Sequence, residues 1–456
     1  MGSWIGDNKR VMQESIRPPM VSGLPLVGSL LPLLNNPHDF IQEAYHRYGP
    51  AFRFRAAHRE YVVLAGVKAN RFVSGEGKDL FGVDTFWGKA GEYMGCPHMM
   101  IAVDGDIHRY QRNAMMPLLS QTAFKNRIED LAEPVELIIK EYRGVRSADI
   151  GAILRQLISN QIGFTLQGHM SSYRTVQQMI YYFGSVMNVY GLRKWPAAML
   201  RTPRFQYAKY VTHQHVRKTL EIAEARTEDQ KQDRPLYLDA MLPIMRAKPD
   251  WYCEGDIAVH ALLPFVAALD TVASTMGFIL YRLLTNPTLA EHIQKEVDLY
   301  FGNSLPSLKQ LREMDDLNGL IKETMRIQPT GFGITRSAKT DFEFEGFKIR
   351  QGAEILVFTT ADHRNPEYFH NPELFDIQRY RAPRNEHKQV AYAPFGKGPH
   401  SCLGASLSEI MMPLNLGLLL NKLVIKPASE LSKVKLRFNP APVLSDNFKV
   451  DLFPRK

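Results

Sequence analysis

The pattern of apolar and polar positions divides this 456-residue chain into β-rich and helical parts. β-rich runs at residues 51–55 and 61–64 predict strands near the start. From about Ile107 to Arg326 the pattern is mostly helical, and a second β-rich segment follows at residues 342–358. The pattern predicts a mainly α-helical fold with small β-sheets.

The longest apolar stretch, residues 261–284, predicts a helix that is either buried or membrane-spanning. Asp270, Thr271 and Ser274 lie near its centre, Pro264 interrupts it, and no charge clusters flank it. These features favour a buried central helix over a membrane span. A buried carboxylate without a partner is costly, so Asp270 at this position needs an explanation.

Composition is consistent with one large globular protein. The chain is 45% hydrophobic and has no long Gly/Ser or charged linker, repeat or low-complexity tract. Length alone would suggest about three domains. Because the motifs below must converge on one site, a single domain over residues 1–456 is predicted, with a proline-rich lead-in over about residues 1–40.

Charge and cysteine usage narrow the partners and the compartment. The net charge of +9 is spread along the chain without a nucleic-acid-binding motif, so no nucleic-acid partner is predicted. Three widely separated cysteines give no disulfide framework and indicate a reducing compartment. No secretory segment or transmembrane anchor is recognised, which predicts a cytoplasmic, soluble, prokaryotic type of protein. A membrane form from which an anchor was removed is the alternative.

One cysteine near the end of the chain lies in a glycine-rich loop. The segment Phe395-Gly-Lys-Gly398-Pro-His400-Ser-Cys402-Leu-Gly404 directly precedes an apolar helical run at residues 405–420. A thiolate held among backbone N–H donors is what an axial ligand of haem iron requires, and Phe395 can shield the sulfur. Glycines at 398 and 404 permit tight turns. The alternative is a structural cysteine in an ordinary loop.

This segment resembles the haem-ligand loop of the cytochrome P450 family, and four further signatures follow in the family's order. The resemblance implies the P450 fold, with haem b held between a long central helix and the cysteine loop. It implies that Cys402 is the proximal thiolate ligand, within a binding loop that includes Phe395, Gly398 and Gly404. It also implies that His400 reaches a haem propionate.

Glu323-Thr-Met-Arg326 places a carboxylate and a guanidinium on one face of a helix. An isolated pair of this kind is usually a weak surface ion pair. The family pairs both residues with an arginine of a later loop, which here is Arg379. The resemblance therefore implies a buried structural network of Glu323, Arg326 and Arg379 beneath the cysteine loop.

The central apolar helix carries Ala267-Ala268-Leu269-Asp270-Thr271. This run is similar to the family's small-Gly-x-acid-Thr motif, which implies that Thr271 assists oxygen activation and Asp270 assists proton delivery. Ala268 replaces the usual glycine and Val272 the usual second hydroxyl, and the second change puts the proton-delivery rate in doubt. The alternative is that Asp270 and Thr271 only bond to neighbouring backbone.

A basic pair near the front of the chain is the next candidate. His108 and Arg112 lie one helical turn apart and can present two donors to one anion. By resemblance they bind a haem propionate, as does Arg336, ten residues after Arg326. Arg109 is expected to face solvent.

Large, mostly apolar side chains at family pocket positions favour a lipophilic substrate, although each could equally be core. The pocket is predicted to include Phe86, Trp87, Met94, Phe183, Ala267 and Phe332. The layout loosely resembles the sterol-demethylase side of the family. However, the His-Thr pair of that group's oxygen helix is absent, so sterol demethylation is not predicted.

The sequence predicts a haem-thiolate monooxygenase that inserts one oxygen atom from O2 into a steroid, terpenoid or fatty-acid-like molecule. No redox module is fused to the chain, so electrons are expected from a separate ferredoxin or flavoprotein reductase, and a monomer is expected. Basic residues near the loop could dock such a donor: Arg381, Arg384, Lys388 and Lys397. The alternatives are a peroxide-using or isomerising haem-thiolate enzyme, and a non-catalytic haem sensor or lipid-binding protein. Both are disfavoured by the acid–threonine pair.

Overall fold

A computed structural model describes residues 16–302, 304–438, 442–445 and 447–455, without the side chains of residues 84–86. The fold is mainly helical, as the sequence predicted. The α-helices in this part of the chain are α1 (Leu30–Asn35), α2 (Pro37–Tyr48), α3 (Gly66–Ser74), α4 (Asp84–Tyr93), α5 (Gly105–Met115), α6 (Ile128–Tyr142), α7 (Ile150–Gln167), α8 (Tyr173–Val186), α9 (Pro203–Glu224), α10 (Glu228–Asp233), α11 (Tyr237–Arg246), α12 (Glu254–His260), α13 (Leu263–Thr285), α14 (Pro287–Phe301), α15 (Leu308–Glu313), α16 (Asp315–Ile327) and α17 (Ala405–Lys422).

The strands are short and form small sheets. They are β1 (Ala51–Ala56), β2 (Arg59–Ala65), β3 (Phe81–Gly82), β4 (Ala148–Asp149), β5 (Ile334–Ala338), β6 (Phe342–Phe344), β7 (Phe347–Ile349), β8 (Glu354–Phe358), β9 (Leu423–Pro427), β10 (Leu436–Phe438), β11 (Pro442–Leu444) and β12 (Lys449–Pro454). The largest sheet has the order β1-β2-β8-β5-β3, in which β2 and β8 run parallel. The smaller sheets are β4-β12-β9, β10-β11 and β6-β7.

The largest sheet brings the two β-rich segments of the sequence together. Tyr61 of β2 lies opposite Glu354 of β8. The strand β5 precedes the predicted segment at residues 342–358 and was not predicted, and neither was the sheet built from β9 and β12. β5 matters for the site because it carries Arg336.

Several of the long helices begin at a polar residue of the kind that favours a helix N-cap. Asp149, Ser172 and Thr202 stand at the N-caps of α7, α8 and α9, and each side chain accepts a backbone N–H three residues later. α17 is apolar around most of its surface and is buried over most of its length, which makes it a core helix.

α13 is the central helix, and it packs against α7, α16 and α17. It begins at Leu263, two residues later than the sequence predicted, because Pro264 lacks an N–H and occupies the first turn. Within the described residues, the α12–α13 stretch Glu254–Thr285 is long and apolar enough to cross a membrane. Over half of its apolar window is buried against the rest of the protein.

Candidate functional site

The loop before α17 holds Cys402 in a turn. The Cys402 backbone N–H donates to the Phe395 carbonyl at 2.8 Å, which closes the loop, and the Ser401 N–H donates to Gly398 at 3.0 Å. The backbone N–H groups of Gly404 and Ala405 favour the thiolate form of the sulfur. Desolvation raises the pKa of the Cys402 thiol although its side chain is solvent-accessible, while the two N–H groups and Arg112 oppose that rise.

The two glycines of the loop differ in what they require. Gly398 has φ +84°, and a Cβ there would lie 2.7 Å from the Val73 carbonyl oxygen of α3, so only glycine fits. Gly404 has an ordinary φ of −84°. A Cβ at 404 would sit 4.0 Å from the Cys402 sulfur, an ordinary contact. The tight-turn argument from sequence therefore applies to Gly398 and fails for Gly404.

The structure brings Glu323, Arg326 and Arg379 together in the interior. Arg326 binds Glu323 through two N–H···O bonds of 2.8 Å, and Arg379 Nε donates to the same carboxylate at 3.1 Å. All three side chains are fully buried. Burial alone would raise the pKa of Glu323, but Arg326 holds that pKa below its usual value. This geometry is a buried network, not the surface ion pair that was the alternative.

Sequence reasoning missed the groups that complete this network. The Tyr380 hydroxyl donates to Glu323 at 2.7 Å, and the Asp376 backbone N–H donates at 2.9 Å. Arg379 also pairs with Glu386 at 3.2 Å. Arg326 Nη1 donates to the His363 carbonyl at 2.6 Å. The network thus joins α16 to the turn Ile377–Tyr380 and to the segment Ala361–Arg364.

Four basic side chains from three parts of the chain lie around the cysteine loop. The rings of His108 and His400 stack at 3.8 Å. Arg112 donates to the Ser401 carbonyl at 2.8 Å. Burial lowers the pKa of Arg336 to about 10. Burial, followed by the charges of His400, Arg112 and Arg336, lowers the pKa of His108 to about 3.

Asp104 is a site residue that sequence reasoning missed. Its Oδ1 lies 2.9 Å from His400 Nε2, and its Oδ2 lies 3.4 Å from Lys339 Nζ and accepts the Val83 N–H at 3.2 Å. Asp104 directly precedes α5, where an acidic residue reads as an ordinary helix cap. The structure instead shows it connecting three segments around His400.

The donor set fits a haem group. The charges of Arg112 and Arg336 disfavour the protonated forms of His108 and His400, and the Asp104 carboxylate opposes this effect. Two carboxylates of the kind that haem propionates supply would relieve this repulsion. The sulfur of Cys402 has the backbone N–H donors that a thiolate ligand needs.

On the central helix, Ala267 and Thr271 lie on one exposed face, four residues apart. The Thr271 hydroxyl donates to the Ala267 carbonyl at 3.0 Å. This is the bond to neighbouring backbone that the sequence analysis gave as the alternative to a role in oxygen activation. Asp270 pairs with Arg155 of α7 at 3.2 Å. The sequence did not reveal this partner. The ion pair with Arg155 explains how α13 can carry a carboxylate at this position.

The predicted pocket residues fall in different surroundings. Trp87 and Met94, on and just after α4, are half-buried, and Phe183 on α8 is buried. All three pack with the main helical core. Phe332 packs instead against His38 and Phe358 on the sheet side, with ring centroids 5.8 and 6.0 Å away. The Phe86 side chain lies outside the described residues.

The basic residues suggested for docking an electron donor differ in whether they form ion pairs within the protein. Arg381 pairs with Asp316 at 2.9 Å, and Arg384 pairs with Asp376 at 2.6 Å. No such ion pair occurs for Lys388 or Lys397 in the described part of the chain. The net positive charge near the loop is therefore smaller than the sequence suggests.

Comparison with known proteins identifies the family. The model of the cytochrome P450 family matches residues 18–447. The chain belongs to the cytochrome P450 family. Members of this family are monooxygenases that bind haem through a cysteine thiolate. The sequence prediction of the family is confirmed.

Two curated relatives of this P450 come from mammals. Mouse thromboxane-A synthase is 35% identical over 191 residues, which are 41% of this chain and 36% of that protein. Human cytochrome P450 3A5 is 28% identical over 212 residues, which are 45% of this chain and 42% of that protein. The matched region thus spans less than half of these relatives' length.

A solved structure similar to this P450 is that of a cyanobacterial P450, CYP120A1, with retinoic acid bound. It matches 96% of this chain and 100% of its own with a TM-score of 0.77. Its sequence is 20% identical, so the match shows the shared fold. The predicted P450 fold is confirmed.

Proposed function

We propose that this protein is a haem-thiolate monooxygenase whose iron ligand is Cys402. The observation that carries the proposal is the position of Cys402 in the closed motif loop, where the backbone N–H groups of Gly404 and Ala405 favour the thiolate form of its sulfur. The neighbouring basic side chains, His108, Arg112, Arg336 and His400, would hold the haem propionates. Bound haem would supply the oxygen-activating redox chemistry.

The chain's own residues would fix the cysteine loop and would supply a hydroxyl and protons on α13. Arg112 donates to the Ser401 carbonyl next to the thiolate and so helps to fix the loop. The Glu323–Arg326–Arg379 network keeps the backbone beneath that loop in place. Thr271 would offer a hydroxyl on the exposed face of α13, and Asp270 would supply protons near it.

The lipophilic substrate class rests on the apolar residues near α4 and α8, above all Trp87, Met94 and Phe183. A separate redox protein would deliver electrons, and the protein would act as a monomer in the cytoplasm. Similarity to thromboxane-A synthase, a synthase by name, supports the isomerising alternative. Retention of both Asp270 and Thr271 favours the monooxygenase.

The test is the absorption spectrum of the reduced protein under carbon monoxide. Cys402→Ser and Cys402→His should lose the red-shifted Soret band that requires a thiolate ligand. Cys253→Ser, at an exposed position, and Cys96→Ser, at a buried one, should keep the band. Retention of the band in Cys402→His would refute the assignment of the ligand.

A further inference from the structure

A cleft opens directly behind the cysteine loop, between α16 and α17. It has a volume of about 180 Å³, and the loop residues Phe395, Gly396 and Lys397 form one wall. Ile321, Met325 and Pro413 give it an apolar floor. The volume is about six times the ~30 Å³ that a water molecule occupies in the liquid, so a small organic molecule fits.

The cleft is lined by two lysines that form no ion pair with a described residue. They are Lys322 of α16 and Lys397 of the loop. Neither Nζ makes an ion pair or a hydrogen bond with any described residue, and the Lys322 Nζ lies 6.0 Å from the centroid of the Tyr380 ring. Burial lowers the pKa of both ammonium groups, because the charged form loses hydration. The carboxylates of Glu409 and Asp315 oppose this shift at Lys322, whereas burial is the only cause at Lys397.

Two other polar groups define the ligand chemistry further. The Nδ1 atom of His387 is buried in the cleft wall and has no hydrogen-bond partner. The Glu409 carboxyl also lines the cleft and attracts Lys322 without forming an ion pair. Burial raises the pKa of Glu409, and it already accepts a hydrogen bond from Gln121 at 3.2 Å. The cleft therefore has an excess of donors over one carboxyl group.

We propose that this cleft binds a small organic carboxylate, with the apolar part on Ile321, Met325 and Pro413 and the carboxylate between Lys322 and Lys397. A cation would meet two ammonium groups, and an inorganic polyanion would leave the apolar floor uncovered and approach Glu409. A monocarboxylate with a compact apolar body satisfies both surfaces.

Binding at this position would stabilise the loop that carries Cys402. The ligand would contact Phe395, whose carbonyl accepts the Cys402 N–H at 2.8 Å. A ligand-bound loop opens less often, so its amides exchange more slowly with solvent. The site goes beyond the proposed monooxygenase function, because binding requires no turnover and no bound substrate.

The experiment is calorimetric titration with benzoate of the haem-loaded protein, with an azole bound on the opposite side of the haem to keep benzoate out of that pocket. We expect saturable binding with a Kd of about 1 mM or below. Lys322→Met and Lys397→Met should each weaken it at least about tenfold, because each removes a charge and keeps the apolar stem. Lys388→Met, at an exposed lysine outside the cleft, should bind like the wild type.

A neutral probe and an exchange measurement complete the test. Benzamide should bind at least about tenfold more weakly than benzoate, since it lacks the charge. Benzoate should slow hydrogen exchange at residues 393–402. Absence of saturable benzoate binding, equal binding of benzamide, or unchanged affinity in both lysine variants would overturn the proposal. None of these results bears on the thiolate spectrum, so failure of the site and failure of the proposed function are separable.

A second source of the same chemistry is a carboxylate side chain of a docked electron-transfer protein. Binding of an acidic donor protein that Lys322→Met and Lys397→Met both weaken, together with no saturable binding of benzoate, would assign the cleft to the donor and overturn the small-molecule site. Benzoate binding in the absence of any donor protein supports it.

Discussion

At the scale of single residues, Thr271 and Asp270 are adjacent in sequence and point to different partners. The Thr271 hydroxyl returns to its own helix, whereas Asp270 reaches Arg155, 115 residues earlier in the chain. The Asp270 and Arg155 side chains are 39% and 26% exposed, so this ion pair contributes little to stability. Its importance would lie in holding the carboxylate beside the face that carries Thr271.

Thr271→Ala should leave haem binding and the substrate-induced spin shift nearly unchanged. It should divert reducing equivalents from product to peroxide, because only a hydroxyl at the exposed face is lost. The measurement is product formed per reduced nicotinamide consumed with a surrogate redox system. Thr271→Ser, which keeps a hydroxyl, is the matched control. Wild-type coupling in Thr271→Ala would remove this residue from the mechanism.

Asp270→Asn should slow turnover by about 10²-fold, because an amide keeps the shape but does not relay a proton. Arg155→Leu separates the two roles of the carboxylate, since it removes the ion pair and leaves Asp270 in place. We expect Arg155→Leu to retain more activity than Asp270→Asn at neutral pH. Equal losses would mean that the ion pair, not the proton, is what turnover needs.

At the scale of elements, the buried network fixes α16 against the turn Ile377–Tyr380. Backbone packing accompanies the charges: a Cβ at Gly319 would lie 2.4 Å from the Ile377 carbonyl oxygen. Each of the two arginines in the network donates to backbone carbonyls as well as to Glu323. Loss of any charged member would strand the others in the interior.

Glu323→Ala should therefore destabilise the fold by about 3–5 kcal/mol and give little haem-loaded protein. Arg326→Ala should behave similarly, because it leaves the Glu323 carboxylate buried. The checks are haem content per protein and the midpoint of denaturant unfolding. Glu291→Ala is the control, since Glu291 forms a surface pair with Lys295 at 3.2 Å and is 73% exposed. Normal haem content in both network variants would contradict this account.

Elements were predictable where a local pattern defines them. The runs at residues 261–284 and 405–420 predicted α13 and α17 to within two residues at each end, because periodicity and length are local properties. The short strands β5, β9 and β12 lack such a pattern.

Site partners were predictable only where a family motif supplied them. Arg155 and Asp104 were missed because contacts across 115 and 296 residues leave no periodic signal. The same is true of Tyr380, which lies beside Arg379 in the sequence and still gave no sign of its bond to Glu323.

At the scale of the whole molecule, several histidines are buried in a neutral form. Desolvation lowers the pKa of His215 and His363 to about 3 and that of His260 to about 4. His363 shows why. One ring nitrogen lies 3.0 Å from the Arg326 carbonyl, and the other accepts the Ala393 N–H at 3.0 Å. A second proton would break the bond to Ala393.

This predicts acid sensitivity. The pKa of His363 is about 3 in the folded state and about 6.5 in the unfolded state, so the unfolded state binds more protons between these values. The contribution of neutral His363 to the free energy of unfolding is complete above pH ~6.5. It falls by about 1.4 kcal/mol for each pH unit between that value and the folded-state pKa. Urea unfolding at a series of pH values should show a shallower pH slope for His363→Gln than for the wild type. His58→Gln, at an exposed position, should keep the wild-type slope, and an unchanged slope in His363→Gln would contradict the assignment.

The contact between Gly398 and α3 limits how the cysteine loop can be reused in protein engineering. The loop fits because the Val73 carbonyl leaves room for a hydrogen atom and nothing larger. A graft of residues 395–404 into another scaffold would keep every residue of the motif but lose the α3 backbone against which Gly398 packs. The structural unit that can be transferred is therefore the loop together with α3, and these two segments are more than 300 residues apart in the sequence.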